Sequence, residues 1–352
     1  MKRIALLICL LPLLFSCREK DRYVTLQGYA QGGVYQVKVN LRGTGKSRVE
    51  VQRAVDSILT AIDTTLSGYN KASMLSRFNA GQAVRPNALF MDMYDEAWRW
   101  YLRTDGAIDC AAGPLFDAWG FGFKSDSLPS PARIDSLLRG CGMKNLRQDM
   151  RAAFSPGGIL EPASLLKDPS LPLPVLNYNA IAQGFSADEV ALYLYRIGAS
   201  AMLVNIGEIW CDGLNASGKP WTIGIDRPVD GNNAPGADLA GVMTSEGAPC
   251  GVVTSGNYRK YYVRDGKKYA HTIDPRTGYP AENALLSATV VVRSKPGDPT
   301  ASDADAYATW CMVLGPEKAA DLAGKDVDIY LVSAGEDGSM HEWASPGFPL
   351  SH

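Results

Sequence analysis

Histidine is the scarcest reactive side chain in this sequence: three among 352 residues, at positions 271, 341 and 352. No Cys-x-x-Cys pair exists to suggest zinc. An excess of either charge is also missing, with 35 basic against 37 acidic residues and a formal net charge of -2. That balance gives no electrostatic footprint for a nucleic-acid partner. Long apolar runs are absent outside the N-terminus, which excludes a multi-span membrane protein. With 46% hydrophobic and 20% charged residues, the chain has the means to build a core, and wholesale disorder is excluded. Glycine, by contrast, is plentiful at 35 of 352, above the usual ~7%, and predicts many tight turns or close backbone approaches to a ligand.

Lys2 and Arg3 precede an apolar run that ends at Leu14-Phe15-Ser16-Cys17. About a dozen apolar residues are too few for a span that needs ~20, so the run reads as the h-region of a signal peptide. A leucine, a small residue and then cysteine resemble a bacterial lipobox. The expectation is a leader over 1–17, lipidation of Cys17, and a solvated tether over 18–23. A lipid anchor in the cell membrane or outer membrane, facing the periplasm, follows from that reading. Setting aside Cys9 and Cys17 leaves Cys110, Cys141, Cys211, Cys250 and Cys311. Their spacing is no disulfide framework, and it does not choose one bridge among the five. Cys311 lies in an apolar helical stretch and reads as core.

No internal repeat is visible. Val51, Val55, Ile58 and Ile62 recur at helical spacing and predict a helix over 48–66. Met91, Tyr94, Trp98 and Tyr101 mark a second, closed by Thr104-Asp105-Gly106. The proline- and glycine-rich residues 155–174 read as an irregular surface excursion. A helix over 186–197 stops at Gly198, and a last helix spans 300–314. Strand-like runs stand at 202–204, 221–225, 251–254, 285–293 and 327–332. Helices and strands mix without regular alternation, so the fold class is α+β, in a domain over 24–335 followed by a tail over 336–352.

His271 opens a segment, His271-Thr272-Ile273-Asp274-Pro275-Arg276-Thr277-Gly278-Tyr279-Pro280, that is dense in polar groups and turn formers. On its own such a histidine more often holds a turn than catalyses. Asp305 and Thr309 are four apart on one helical face, two hard oxygens that suit magnesium, which keeps waters and shares phosphate ligands. By itself the pair reads as an ordinary polar pair on a helix surface. Asp303 is an alternative carboxylate, but its i+4 partner, Tyr307, is a poor ligand. The small residues of 179–184, just before the 186–197 helix, would let amides and a helix N-terminus meet an anion.

Taken in order, these segments resemble the ApbE family of FAD:protein FMN transferases. Residues 28–35 stand where that family usually shows Met-Gly-Thr. Residues 67–79, the Gly106-Ala107-Ile108-Asp109 block with Gly113-Pro114-Leu115 and Trp119-Gly120-Phe121-Gly122, and 177–184 follow. Thr254-Ser255-Gly256, His271 to Pro280, and residues 304–309 close the series, so the resemblance covers about 24–335.

The resemblance implies an enzyme that binds FAD and magnesium, cleaves the pyrophosphate, and moves FMN onto a threonine hydroxyl of a partner. Asp305 and Thr309 would hold the metal by side chains and Ala180 by its carbonyl. His271 would be the general base. Gln31, Tyr69, Ala107, Ile108, Asp109, Asn177, Gln183, Thr254, Ser255 and Gly256 would bind FAD. The implied acceptors are subunits of membrane redox pumps of the Nqr or Rnf kind, or periplasmic flavoproteins with an Asp-Gly…Thr motif. With water as acceptor, the same site would be an FAD pyrophosphatase giving FMN and AMP; a non-catalytic flavin-binding lipoprotein is the alternative of another class. Three positions depart from the family pattern: Gln31 replaces Met, Gln183 replaces Lys and Asn177 replaces Asp. The last two remove one charge of each sign beside the site.

Overall fold

A computed structural model describes residues 22–121, 128–232, 234, 236–258, 261–264 and 267–351. The leader, Cys17, most of the tether and Gly122 lie outside the described residues. The main sheet has eight strands: β1 (Tyr23–Ala30), β2 (Gly33–Asn40), β3 (Met202–Asn205), β4 (Ile209–Asp212), β5 (Cys250–Gly256), β6 (Leu285–Arg293), β7 (Val327–Ala334) and β8 (Met340–Ala344). Their order across the sheet is their order along the chain, and every neighbouring pair is antiparallel. The fold is therefore a meander interrupted by long insertions. It is α+β, as the irregular mixture of patterns predicts.

The β1–β2 hairpin turns on Gln31 and Gly32, at φ +52° and +81°. Two successive left-handed residues make the tight connection that matches strand twist. Between β2 and β3 come three long helices: α1 (Arg48–Leu66), α2 (Ala88–Arg103) and α3 (Ala182–Arg196). Ser47 and Glu50 close a reciprocal capping box at the start of α1, and the Asn87 side chain caps α2. The helix α4 (Ala301–Leu314) sits between β6 and β7.

Strand alternation sends side chains to two cores. Val290, Val292, Ile329 and Leu331 pack with the helices, including Phe78, Tyr94 and Trp100. Val291, Tyr330 and Val332 face the other way, against a three-stranded sheet of Thr222–Asp226, Leu239–Thr244 and Leu350–Ser351. Of the α2 stripe, Tyr94 and Trp98 are core side chains, as their spacing predicts, while Met91 and Tyr101 are half-buried against that core; Cys311 is fully buried.

Three local readings differ from the sequence expectation. Residues 155–174 are a surface excursion only in part: 167–173 are irregular and mostly exposed, but Phe154–Ser155 pairs with Ile159–Leu160, and Leu160 and Leu165 are fully buried. Prolines break regular structure there, but the intervening leucines still seek the core. The helix α3 begins at Ala182, a full turn before Ser186. A glycine at 184 masks that turn in sequence, since glycine disfavours helix by about 1 kcal/mol. Residues 336–352, set apart as a tail, contribute β8 and a strand of the small sheet. Among the described residues no helix is long and apolar enough to cross a membrane.

Candidate active site

The first turn of α3 packs closely on the start of α4. A Cβ on Gly184 would stand 2.3 Å from the carbonyl oxygen of Ala301, at the start of α4, so only glycine fits. Two carboxylates exploit this approach in opposite directions. Asp188, on α3, accepts hydrogen bonds from the amides of Ala301 and Ser302 at 2.8 Å each. Asp305, on α4, accepts one from the Gly184 amide at 3.1 Å. The two helix starts hold each other through orphan amides that a helix cannot satisfy internally.

Gly184 N–H is the donor that an i to i−4 pattern would direct to the Ala180 carbonyl. It donates to the Asp305 carboxylate instead. Asp305 is only 5% exposed. Its pKa lies well above the carboxylate range, first because of burial and then because of the nearby Glu208 charge; the Gly184 bond works against both. Burial pushes Glu208 up to about 8. Glu208 is the functional group that sequence reading misses. It follows Gly207 in the β3–β4 turn, where nothing local distinguishes it from a solvated acid.

Gln183 lies against that same turn. Its amide nitrogen donates to the Ile206 carbonyl at 3.4 Å, and a Cβ on Gly207 would stand 2.7 Å from it. The neutral side chain is thereby turned toward the Glu208 segment. The Gln31 amide donates to Ser186 Oγ, so the hairpin turn is tied to α3 one helical turn further on. Thr309 is half-buried on α4, and Asp303 is drawn away into an ion pair with Arg99.

The remaining site residues form a second group. Asn177 is buried; its amide donates to the Cys110 carbonyl at 2.7 Å, and its Oδ1 accepts from the Asn179 amide at 3.0 Å. It thus joins the 106–113 block to the start of α3. Ala107 and Ile108 are each 2% exposed and belong to the core. Asp109 accepts from the amides of Met143 and Ala111, and burial nevertheless raises its pKa to about 6. It also borders a cavity of about 180 Å³ shared with Tyr101, Asp105, Lys144 and Arg276. Arg276 is fixed by a two-pronged ion pair to Asp274, at 2.9 Å on both arms.

His271 is half-buried, with its ring edge-on to Phe121 at 6.5 Å between centroids. Trp119 Nε1 donates to the Gly278 carbonyl at 2.8 Å, so the histidine segment is packed on the 113–121 segment. Thr254 Oγ1 pairs with Thr289 Oγ1 at 2.8 Å across β5 and β6. Ser255 and Gly256 complete β5, and a Cβ on Gly256 would collide with the Tyr258 ring at 2.7 Å. Tyr69 is 67% exposed on the loop after α1.

The buried Asp305 and Asp188 at the α3–α4 contact and the polar cavity beside Asp109 are the two places where buried acidic groups gather among the candidate residues. The ApbE family model matches residues 31–331, and the chain belongs to that family. An FAD:protein FMN transferase of Salmonella typhimurium is 33% identical over 349 residues, 96% of this chain and 93% of the relative. The Escherichia coli FAD:protein FMN transferase is 34% identical, covering 86% of this chain and 82% of the relative. Among solved structures, the flavin transferase ApbE from Vibrio cholerae superposes with a TM-score of 0.73 at 28% identity, over 93% of this chain and 98% of the other. The apo flavinyl transferase ApbE of Pseudomonas stutzeri gives 0.73 at 29% identity, over 93% and 95%. Like these relatives, the protein is an enzyme, a transferase.

Proposed function

We propose that this enzyme takes FMN from FAD and transfers it, with magnesium, to a threonine hydroxyl of a partner flavoprotein. Flavin transfer from FAD is the activity its relatives are named for. The observation that carries the finer reading is the buried Asp305 carboxyl, which accepts from the Gly184 amide and whose ionisation is opposed first by burial and then by the charge of Glu208. A hard divalent cation relieves that opposition.

Among the described residues no three His, Cys, Asp or Glu side chains gather as a metal group. The donors on offer are the Asp305 carboxylate, the Thr309 hydroxyl and the Ala180 carbonyl. All three are oxygens, which fits magnesium, an ion that completes its shell with water and phosphate. Bound there, it would supply Lewis-acid neutralisation of pyrophosphate charge. The chain's own groups do the rest. Asn177 and Asp109 fix the loops on which FAD lies, and His271 accepts the proton of the threonine hydroxyl. That oxygen bonds to the FMN phosphorus as the bond to the AMP oxygen breaks, leaving a phosphoester-linked flavin and AMP.

We extend the proposal to location: a leader over 1–17 and a lipid on Cys17 would anchor the enzyme facing the periplasm. The acceptor would be a subunit of an Nqr- or Rnf-type pump, or a periplasmic flavoprotein with an Asp-Gly…Thr motif. Fatty-acid labelling of the full-length chain, lost in Cys17→Ala, tests the anchor; equal labelling of the variant rejects it. Magnesium dependence is tested by titrating the cation against both FAD cleavage and acceptor flavinylation. Transfer that persists at full rate in chelator rejects the metal.

A further inference from the structure

Five cysteines lie among the described residues, all as free thiols. Two of them occupy a position unlike the others. Cys211 on β4 and Cys250 on β5 are direct register partners on adjacent antiparallel strands, and their sulfurs are 3.6 Å apart. Register partners project to the same face of a sheet. Opposed antiparallel residues have Cα atoms about 4.5–5.5 Å apart, inside the ~4.4–6.8 Å range that a disulfide spans.

We propose that Cys211 and Cys250 form a disulfide that ties β4 to β5. The bond would close the excursion over 212–249 that carries two strands of the small sheet, Thr222–Asp226 and Leu239–Thr244. These same strands cover it: both sulfurs sit in the core with Trp221, Ile223 and Met243, at 0% and 2% exposure. A folded chain therefore shields the pair from other thiols. Oxidation belongs to the folding chain, before the small sheet closes over the strands.

The chemistry requires a disulfide oxidant, such as oxidised glutathione. One cysteine thiolate attacks a glutathione sulfur, forms a mixed disulfide and expels a glutathione thiolate. The other cysteine thiolate then attacks the protein sulfur and expels the second. The cysteine pair loses two electrons, the oxidant gains them, and the two thiol protons end on the two glutathiones. Cys110, Cys141 and Cys311 stay reduced.

The full-length chain is unfolded with reductant in guanidinium chloride and refolded in a glutathione redox buffer. Free thiols are then alkylated under denaturing conditions, and peptides are mapped without reduction. The expected result is one linked peptide pair joining residues 211 and 250, alkylation of Cys110, Cys141 and Cys311, and no linked pair in Cys211→Ala or Cys250→Ala. The oxidised chain should melt roughly 5 °C above the reduced one, from closing a loop of this length. Alkylation of both Cys211 and Cys250 in a natively melting chain overturns the proposal, as does a link to any other cysteine. Cell-free synthesis in the same buffer, mapped the same way, provides the measurement for a chain that refolds poorly.

Discussion

Asp305 and His271 serve the same proposed reaction from opposite kinds of surroundings. Asp305 is 5% exposed, on a helix start fixed by three amide-to-carboxylate bonds between α3 and α4. His271 is half-buried at the head of a turn-rich segment packed on Phe121 and Trp119. The difference has a chemical reason. Holding phosphate and cation needs donors that do not move, because misplacement by ~1 Å costs large factors in rate. Receiving a hydroxyl from another protein needs a group that a partner can reach.

Breaking each half should therefore fail differently, and the largest loss is expected at the buried half. Asp305→Asn keeps an acceptor for the Gly184 amide but removes the charge. Magnesium-dependent transfer should fall at least about 10²-fold, with a melting temperature close to the parent's. Transfer within threefold of the parent would remove Asp305 from the metal. At the accessible half, His271→Ala should cut transfer by ~10²–10⁴-fold with FAD affinity nearly unchanged. A variant that melts lower yet transfers at over half the native rate would make His271 a turn residue.

Asp188 sharpens the comparison, since it holds the helix start through the amides of Ala301 and Ser302. Asp188→Asn turns an amide donor toward the amides of Ala301 or Ser302 and should cost about 1–3 kcal/mol of stability. Chemical denaturation measures this, and an unchanged midpoint would mean that the clamp is not needed.

A smaller effect is expected from pH. Glu208 rises from the ordinary 4.5 to about 8 on folding, chiefly by burial. A carboxyl raised in the fold contributes stability that is full below its unfolded pKa and lost as pH climbs through the folded value. The metal-free enzyme should thus lose a few degrees of melting temperature between pH 4.5 and 8. Saturating magnesium should flatten that slope, and so should Glu208→Gln. The smallest change is expected from Gln183→Lys. Since Gln183 lies on the Gly207–Glu208 turn, the new ammonium should pair with Glu208 and stabilise the metal-free form by about 1 kcal/mol. FAD affinity should move less than twofold; a large gain would place position 183 on the phosphates instead.

The same two halves differ in how far sequence reveals them. The α4 pair, Asp305 and Thr309, is legible because helical period alone puts both on one face, and α1 and the α2 stripe are legible for the same reason. The His271 segment stands out by its turn formers. Glu208 and Asp188 are not legible. Each gains its role from an element distant in sequence, Glu208 from α4 and Asp188 from the amides of residues 301 and 302. The first turn of α3 is hidden because Gly184 is chosen for contact with Ala301, not for helix propensity. The β1–β2 hairpin is absent from the strands read in the sequence, and its left-handed Gln31 is not legible either, since glutamine carries no preference for that conformation.

The transfer itself is the central claim, and one experiment reaches it directly. The enzyme is incubated with FAD, magnesium and a periplasmic flavoprotein bearing an Asp-Gly…Thr motif, and the acceptor is then weighed intact and mapped. The account predicts an acceptor heavier by one phosphoester-linked FMN at the motif threonine, with AMP released in equal amount. An acceptor of unchanged mass, while FAD is consumed to free FMN and AMP, would contradict it and make the enzyme a pyrophosphatase.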